Sequence, residues 1–134
     1  MILGTLVSGV LTLKEKNYWI LPVIYGLCIF YFSHQSFKEV KNVKGGDYFH
    51  PVEFFSLGIL ISVAFLASKK RLKKSDFFKI FSIGVGYGIF DEIHQYFIPN
   101  RCTSFFDLFL DSVGILCALM FVHFLTKKME KRYD

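Results

Sequence analysis

The sequence predicts an all-α fold, a polytopic membrane bundle of four transmembrane helices with a short N-terminal apolar helix. Apolar residues make up 53% of the 134 residues, and charged residues only 20%. Four apolar segments reach the roughly 20 residues that a helix needs to cross about 30 Å of hydrocarbon. Basic residues lie in short clusters between those segments, a pattern typical of membrane topology. We therefore expect residues 1–134 to form a single integral membrane domain.

The predicted spans follow one another with short connections. They cover residues 18–37, 49–68, 77–97 and 105–126. Pro99 ends the third span, and Ser104 is the predicted N-cap of the fourth. The first 13 residues, Met1 to Leu13, are apolar but would cover only about 20 Å as a helix. We interpret them as an interfacial or packed helix rather than a signal peptide, because no basic segment precedes them and no small-residue cleavage site follows.

The distribution of basic residues predicts the orientation of the bundle. Twelve of the 16 Lys and Arg residues lie before the first span, between the second and third spans with the entry to the third, or after the fourth. The other two connections hold the remaining four, namely Lys38, Lys41, Lys44 and Arg101. Because basic residues favour the cytoplasmic side, we expect a multi-pass protein of the cell membrane with both termini in the cytoplasm.

The composition argues against several classes of protein. The high apolar content excludes a disordered chain, and three cysteines are too few, and odd in number, for a disulfide scaffold. A net charge of +5 is compatible with nucleic-acid binding. However, the basic residues do not alternate with aromatic residues on one face, so we expect no nucleic-acid partner. The expected partners are membrane lipids.

Polar residues at membrane depth are concentrated at one end of the predicted bundle. Ionisable side chains are costly in a bilayer, so they usually face the bundle interior and have a function. In an up-down-up-down bundle these polar positions share one side, which the charge distribution makes the outer side. The candidate catalytic residues are Glu53, Asp91, Glu92, His94, Asp107 and Asp111, and the candidate ligand-binding residues are His50, Gln95, Arg101, Ser33 and Gln35.

Helical spacing indicates which way these side chains point. Gly84, Gly88, Asp91 and Gln95 follow one another at intervals of four, three and four residues, which places them on one helix face. The same intervals separate Asp107, Asp111, Gly114 and Ala118 in the fourth span. Small residues permit close contact between membrane helices, so both stripes are expected to face other helices.

The sequence predicts no tightly bound cofactor, although a divalent cation remains an open possibility. His50 with Glu53, and Asp91 with His94, have the i, i+3 spacing that grips metals in helical bundles. The zincin motif HExxH is absent, and so are the P-loop and the GxSxG motif. A structural ion-pair network is the alternative interpretation, but five carboxylates exceed what one Arg and a few His neutralise.

Three motifs resemble those of VanZ-like membrane proteins. Residues 47–54 (DYFHPVEF) are similar to the family's second-helix motif. Residues 91–101 (DEIHQYFIPNR), with Ser104, Asp107, Asp111 and Gly114, are similar to its long C-terminal signature. Ser33 with Gln35 resembles its motif at the end of the first helix. The chain departs from the family pattern at Asn100, where Gly is usual, and at Tyr48, where Lys is common; Asp111 is Asn in many members.

The resemblance implies a membrane bundle whose polar residues form a site. The family takes its name from an accessory protein of glycopeptide resistance, which implies a role in the cell envelope. The leading hypothesis is that the outward site binds or acts on a lipid or a lipid-linked envelope precursor. Glu53 or Glu92 would act as general acid or base, and Arg101 would hold an anionic head group. The alternatives are an ion- or proton-coupled transporter subunit and a non-catalytic membrane assembly factor.

Overall fold

All the regular secondary structure that is described in the protein is α-helical. The computed structural model describes residues 17–34, 50–69, 71–99 and 103–133, with side chains described as far as residue 130. These ranges contain four helices and no strand. The helices are α1 (Ile20–His34), α2 (His50–Lys69), α3 (Lys74–Tyr96) and α4 (Phe105–Tyr133). The predicted helix over residues 1–13 lies outside the described residues.

The number and order of these helices agree with the sequence prediction. Helix α2 is displaced by one residue from the predicted segment, and α3 begins three residues earlier than expected. Helix α4 continues to Tyr133, beyond the predicted end at Thr126. Its 29 residues cover about 44 Å, so its last turns would project beyond about 30 Å of hydrocarbon. The basic residues of the tail therefore continue a helix rather than form a separate segment.

Two of the four helices are long and apolar enough to cross a membrane. They are α2 over His50–Lys69 and α4 over Phe105–Glu130, and only 39% and 33% of their most apolar windows are buried. Such low burial is unlike the core helix of a soluble protein, and it leaves large apolar side chains facing outwards. Helix α1 is apolar but only 15 residues long. Helix α3 is less apolar because its last turns carry Asp91, Glu92, His94 and Gln95.

Contacts between the helices define an up-down arrangement. Trp19, before α1, packs edge-on against Phe65 near the end of α2. Phe77 at the start of α3 lies against His123 late in α4. By contrast α2 and α4 run in the same direction, because His50 lies near Asp111, and Gly58 near Ala118. One end of the bundle therefore gathers the C-terminal ends of α1 and α3 with the N-terminal ends of α2 and α4.

Small residues bring α2, α3 and α4 into close contact. A Cβ atom at Gly114 would lie 2.5 Å from the carbonyl oxygen of Pro51 in α2. At Gly58 it would lie 2.8 Å from the Cβ of Ala118, and at Gly84 it would lie 2.5 Å from the Cδ1 of Ile115. Glycine is therefore required for this packing, as is common where membrane helices meet.

The apolar core occupies the middle of the bundle and its basic end. Its buried members come from all four helices, and Phe54, Ile80 and Ile115 are completely enclosed. The hydroxyl of Ser62, which is also buried, donates a 2.7 Å hydrogen bond to the Gly58 carbonyl oxygen of its own helix. The remaining core residues are Ile29, Leu57, Ile61, Phe65 and Leu119.

A salt bridge connects α2 to α3 at the basic end. The Lys69 ammonium lies 2.5 Å from Oδ1 of Asp76, and the Lys73 backbone N–H donates to Oδ2 at 3.0 Å. These two hydrogen bonds to the charged form lower the pKa of the Asp76 carboxyl below its usual value. A weaker contact of 3.6 Å joins Arg71 to Glu130 in the extension of α4.

Candidate functional site

The polar end of the bundle is the end where α1 and α3 finish and α2 and α4 begin. Six polar side chains of the described residues here are almost entirely buried, and one of them is Ser33, which is 5% exposed. Asp91 is 0% exposed, Asp111 1% and Gln95 2%, while His50 and Asp107 are each 5% exposed. Burial of this many polar groups is costly unless they are paired or bound. The arrangement of their partners is therefore what decides the chemistry of this end.

His50 and Asp111 form an ion pair between α2 and α4. Nδ1 of His50 lies 3.5 Å from Oδ1 of Asp111, a distance suited to an ion pair rather than a strong hydrogen bond. The pair exists because α2 and α4 are parallel and in contact at Gly114, one turn after Asp111. No hydrogen-bond donor among the described residues reaches either oxygen of Asp111.

Asp91 and Gln95 lie on one face of α3, one turn apart. Nε2 of Gln95 donates a 2.7 Å hydrogen bond to Oδ2 of Asp91. Oδ1 of Asp91 is buried, and no donor within the described part of the chain reaches it. Gly88, one turn earlier on this face, is so close to α4 that a Cβ would lie 3.5 Å from Oδ2 of Asp111. The stripe predicted from spacing therefore does face its neighbouring helix.

Glu92 connects the end of α3 to the start of α4. Its Oε2 accepts a 3.1 Å hydrogen bond from the backbone N–H of Ser104. Ser104 also acts as the predicted N-cap of α4, since its Oγ accepts a 3.1 Å hydrogen bond from the N–H of Phe106. The other carboxylate oxygen of Glu92, Oε1, is buried and has no partner in the described ranges.

The remaining acidic residues belong to the same electrostatic environment. Asp111 interacts electrostatically with Asp91 and Asp107 as well as with His50. Glu53, which is half-buried on α2, interacts electrostatically with His50. The ends of α2, α3 and α4 thus bring several carboxylates around the imidazole of His50. Such a surplus of negative charge at low dielectric has to be neutralised by protons, by a cation or by donors from a ligand.

A family model matches the part of the chain that contains this end of the bundle. The model described as VanZ/LLP1 matches residues 10–126, which is most of the chain and includes all of these side chains. The chain belongs to the VanZ/LLP1 family. No curated protein and no solved structure matches it. Family membership and the two apolar helices of membrane-spanning length together fit a VanZ-like membrane protein.

Three of the predicted site residues of this VanZ/LLP1 protein form no described contact with the rest of the site. Arg101 and Gln35 lie outside the described residues, so the expected anion-binding role of Arg101 stays a prediction. Ser33 is 5% exposed at the end of α1, and no described residue forms a hydrogen bond with its Oγ. No group of three or more His, Cys, Asp or Glu side chains in the described ranges has an arrangement suited to a metal ion.

His34 is a residue that sequence spacing does not single out. Its Nδ1 lies 3.3 Å from Nε2 of His94, so the two rings connect the ends of α1 and α3. The ring of His94 also packs against Phe30, with centroids 4.2 Å apart. Periodicity within one helix assigns faces but does not pair helices, and only the packing of α1 against α3 reveals this contact. His94 therefore faces α1, whereas Asp91 and Gln95 are buried.

Proposed function

We propose that this VanZ/LLP1 protein crosses the cell membrane four times, with both termini in the cytoplasm and the polar end facing outwards. The proposal is supported by the up-down order of the helices and by apolar side chains exposed on all four. Lys69, Lys73, Lys127 and Lys128 lie at the opposite end, where positive charge favours the cytoplasmic side. The shorter α1 and the more polar α3 are accommodated by tilt and by packing against α2 and α4.

The outward polar end is proposed to bind or act on a lipid or a lipid-linked component of the cell wall. The observation that carries this proposal is the set of buried carboxylate oxygens for which the described residues supply no hydrogen-bond donor. They are one oxygen of Asp91, one of Glu92 and Oδ2 of Asp111, while Oδ1 of Asp111 has the 3.5 Å ion pair with His50. A purely structural network would satisfy its buried acceptors internally. A site that receives donors or a cation with its ligand would leave them open in this way.

Each group has a role in this proposal that its surroundings allow. Glu92 or Glu53, both only half-buried, accept or donate a proton at the ligand. Asp91, Asp107 and Asp111 set the local charge. His50 or His94 relays protons, and Arg101 binds an anionic head group. A protein of this kind acts in the cell envelope, in a role of the glycopeptide-resistance type.

The interior of the rest of the bundle does not favour transport. A pathway for protons or ions needs polar side chains or water along its length. Between the polar end and Asp76, the described core consists of side chains such as Leu57, Ile61 and Ile115. The hydroxyl of Ser62 is engaged with its own helix. We therefore propose a one-sided binding site rather than half of a transport pathway.

The test measures binding of a polyprenyl-diphosphate-linked sugar to the purified protein in nanodiscs, because its hydroxyl groups supply the donors that the open carboxylates lack and its phosphates supply the anion expected at Arg101. We expect Asp111→Asn, Glu92→Gln and Arg101→Ala each to weaken binding at least about tenfold, the effect of losing roughly 1.4 kcal/mol. The control is Glu130→Gln, which alters a carboxylate at the opposite end. Binding by all three variants at the wild-type level would remove the proposal. Loss of folding in each of them, judged by circular dichroism, would instead favour a non-catalytic assembly role.

A further inference from the structure

A groove opens at the outer half of the bundle between the last turns of α3 and the start of α4. Its volume is about 320 Å³, which is at the small end of the range for ligand pockets. Large apolar side chains form its walls, and Phe105, at its edge, is 94% exposed. The apolar walls are formed by Ile89, Ile93, Tyr96, Phe97, Phe105 and Leu108.

The polar side chains among the described residues that line this groove are Glu92, Thr103 and Ser104, of which only Glu92 carries a charge. Glu92 lines it, with Oε2 engaged by the Ser104 N–H and Oε1 buried without a partner among the described residues. The Ser104 hydroxyl oxygen is already occupied as the N-cap of α4. No Lys, Arg or His is among the described residues that line the groove. The complementary occupant is therefore apolar over most of its length and carries a positively charged donor.

The apolar walls of the groove indicate which kind of molecule carries the positively charged donor. A small soluble amine would satisfy Glu92 but would leave the apolar walls uncovered. A membrane lipid reaches the groove directly, since its walls continue into the exposed apolar faces of α3 and α4. A hydrogen bond between an ammonium and a carboxylate in such an environment is about twice as strong as a neutral one.

We infer that this groove admits, laterally from the bilayer, one chain of a lipid whose head group carries a primary ammonium, with the ammonium against the carboxylate of Glu92. This inference rests on the proposed function, because it assigns the lipid class and the route of entry for the polar end. A lipid bound in this way differs from ordinary boundary lipid, which covers apolar protein surface whatever its head group is. Selectivity for the head group is therefore the property to measure.

The experiment uses photoactivatable lipids in nanodiscs that contain the full chain. One sample contains a trace of diazirine-labelled phosphatidylethanolamine, and the other contains phosphatidylglycerol with the same acyl chains. Peptide mapping then locates the labelled residues. We expect labelling over residues 89–97 and 103–108 to favour phosphatidylethanolamine by about tenfold, which corresponds to one charge-assisted hydrogen bond.

Two kinds of variant separate the head-group contact from the chain contact. Glu92→Gln is expected to remove the preference while labelling of the groove continues. Leu108→Trp fills the groove and is expected to reduce labelling by both lipids, and Ile93→Trp repeats this test from α3. The matched control is Leu116→Trp, because Leu116 is an exposed residue of α4 that does not line the groove.

The possible outcomes distinguish this inference from the proposed function. Equal labelling by the two lipids in the wild-type protein, or unchanged labelling in both Trp variants, would overturn the inference and indicate boundary lipid only. If Asp111→Asn still weakened binding of the lipid-linked sugar at least about tenfold, the proposed function would remain. Conversely, head-group selectivity without any effect of Asp111→Asn would support the groove and remove the proposed function.

Discussion

Asp111 combines near-complete burial with a shortage of hydrogen-bond donors. It is 1% exposed and faces Gly88 of α3, and its closest polar contact among the described residues is the 3.5 Å ion pair with His50. Such a carboxylate depends strongly on its one cationic neighbour, since a buried charge without a partner is costly. The residue is therefore both a structural contact between α2 and α4 and the centre of the candidate site.

Removal of the imidazole at position 50 tests this dependence. We expect His50→Ala to lower the free energy of unfolding by about 1–3 kcal/mol, because it leaves a buried carboxylate without its ion pair. The double variant with Asp111→Asn should recover part of that loss, with a coupling energy of at least about 0.5 kcal/mol. Unfolding in mixed micelles, followed by circular dichroism, measures both. Strict additivity of the two substitutions would show that the residues do not interact.

Sequence reasoning was most successful where a residue's role is decided within its own helix. The N-cap at Ser104 and the shared face of Gly88, Asp91 and Gln95 follow from spacing and local hydrogen bonding, and the structure confirms them. The contact of His34 with His94 did not follow, because no periodicity specifies which helix ends meet. The burial of Oε1 of Glu92 without a described hydrogen-bond partner likewise results from tertiary packing, which helical spacing does not predict.

At the scale of the helices, close packing of α2 against α4 places the site. The two backbones approach at Gly114, where any side chain would meet the Pro51 carbonyl oxygen. Because His50 and Asp111 are neighbours of this contact, the spacing of the helices also sets the distance between the two side chains. Packing of small residues thus connects the stability of the bundle to the geometry of the candidate site.

A pair of glycine substitutions tests this connection. Gly114→Ala should destabilise the protein by about 1–3 kcal/mol, since a Cβ there would lie 2.5 Å from Pro51 and the helices must move apart. Gly86→Ala is the matched control, because nothing lies within 4 Å of a Cβ at that position. The control should leave the unfolding midpoint unchanged or slightly higher. Equal effects of the two substitutions would refute tight packing at Gly114.

The start of α3 should give the protein a measurable dependence on acid. The folded state lowers the pKa of Asp76 through Lys69 and the Lys73 backbone. Its stabilising contribution is therefore complete above the unfolded pKa of about 4 and is lost as the pH falls through the lower folded pKa. Asp76→Asn should lower the melting temperature at pH 7. Below pH 4 the melting temperature of this variant should fall less steeply than that of the wild-type protein. Glu130→Gln, which removes an exposed ion pair, should have little effect.

For the whole molecule, the separation of charge between its two ends determines the orientation that we propose. Lys and Arg side chains surround the end with Asp76, whereas Asp91, Asp107 and Asp111 are buried at the other end. The sequence predicted this separation because the positions of the basic clusters and of the acidic residues relative to the apolar segments can be read directly from the chain. The sequence also predicted four spans, but only α2 and α4 have the length and apolarity to cross a membrane, since α1 is short and α3 is polar near its end, so four crossings stay a prediction.

Labelling of single cysteines tests the orientation. After replacement of Cys28, Cys102 and Cys117 by Ser, Thr103→Cys should react with a membrane-impermeant maleimide in intact cells. Lys128→Cys should react only after the cells are permeabilised. The reverse pattern would place the carboxylates on the cytoplasmic side and would contradict the proposed outward site.

The most direct test of the central claim is an experimental structure of the protein in a lipid nanodisc supplied with bacterial envelope lipids. The account predicts that Asp91, Glu92 and Asp111 enclose one hollow that is open to the outer side. It also predicts that non-protein density lies within hydrogen-bonding distance of Glu92 or Asp111. A structure in which these carboxylates point separately into lipid, or open towards the cytoplasm, would contradict it.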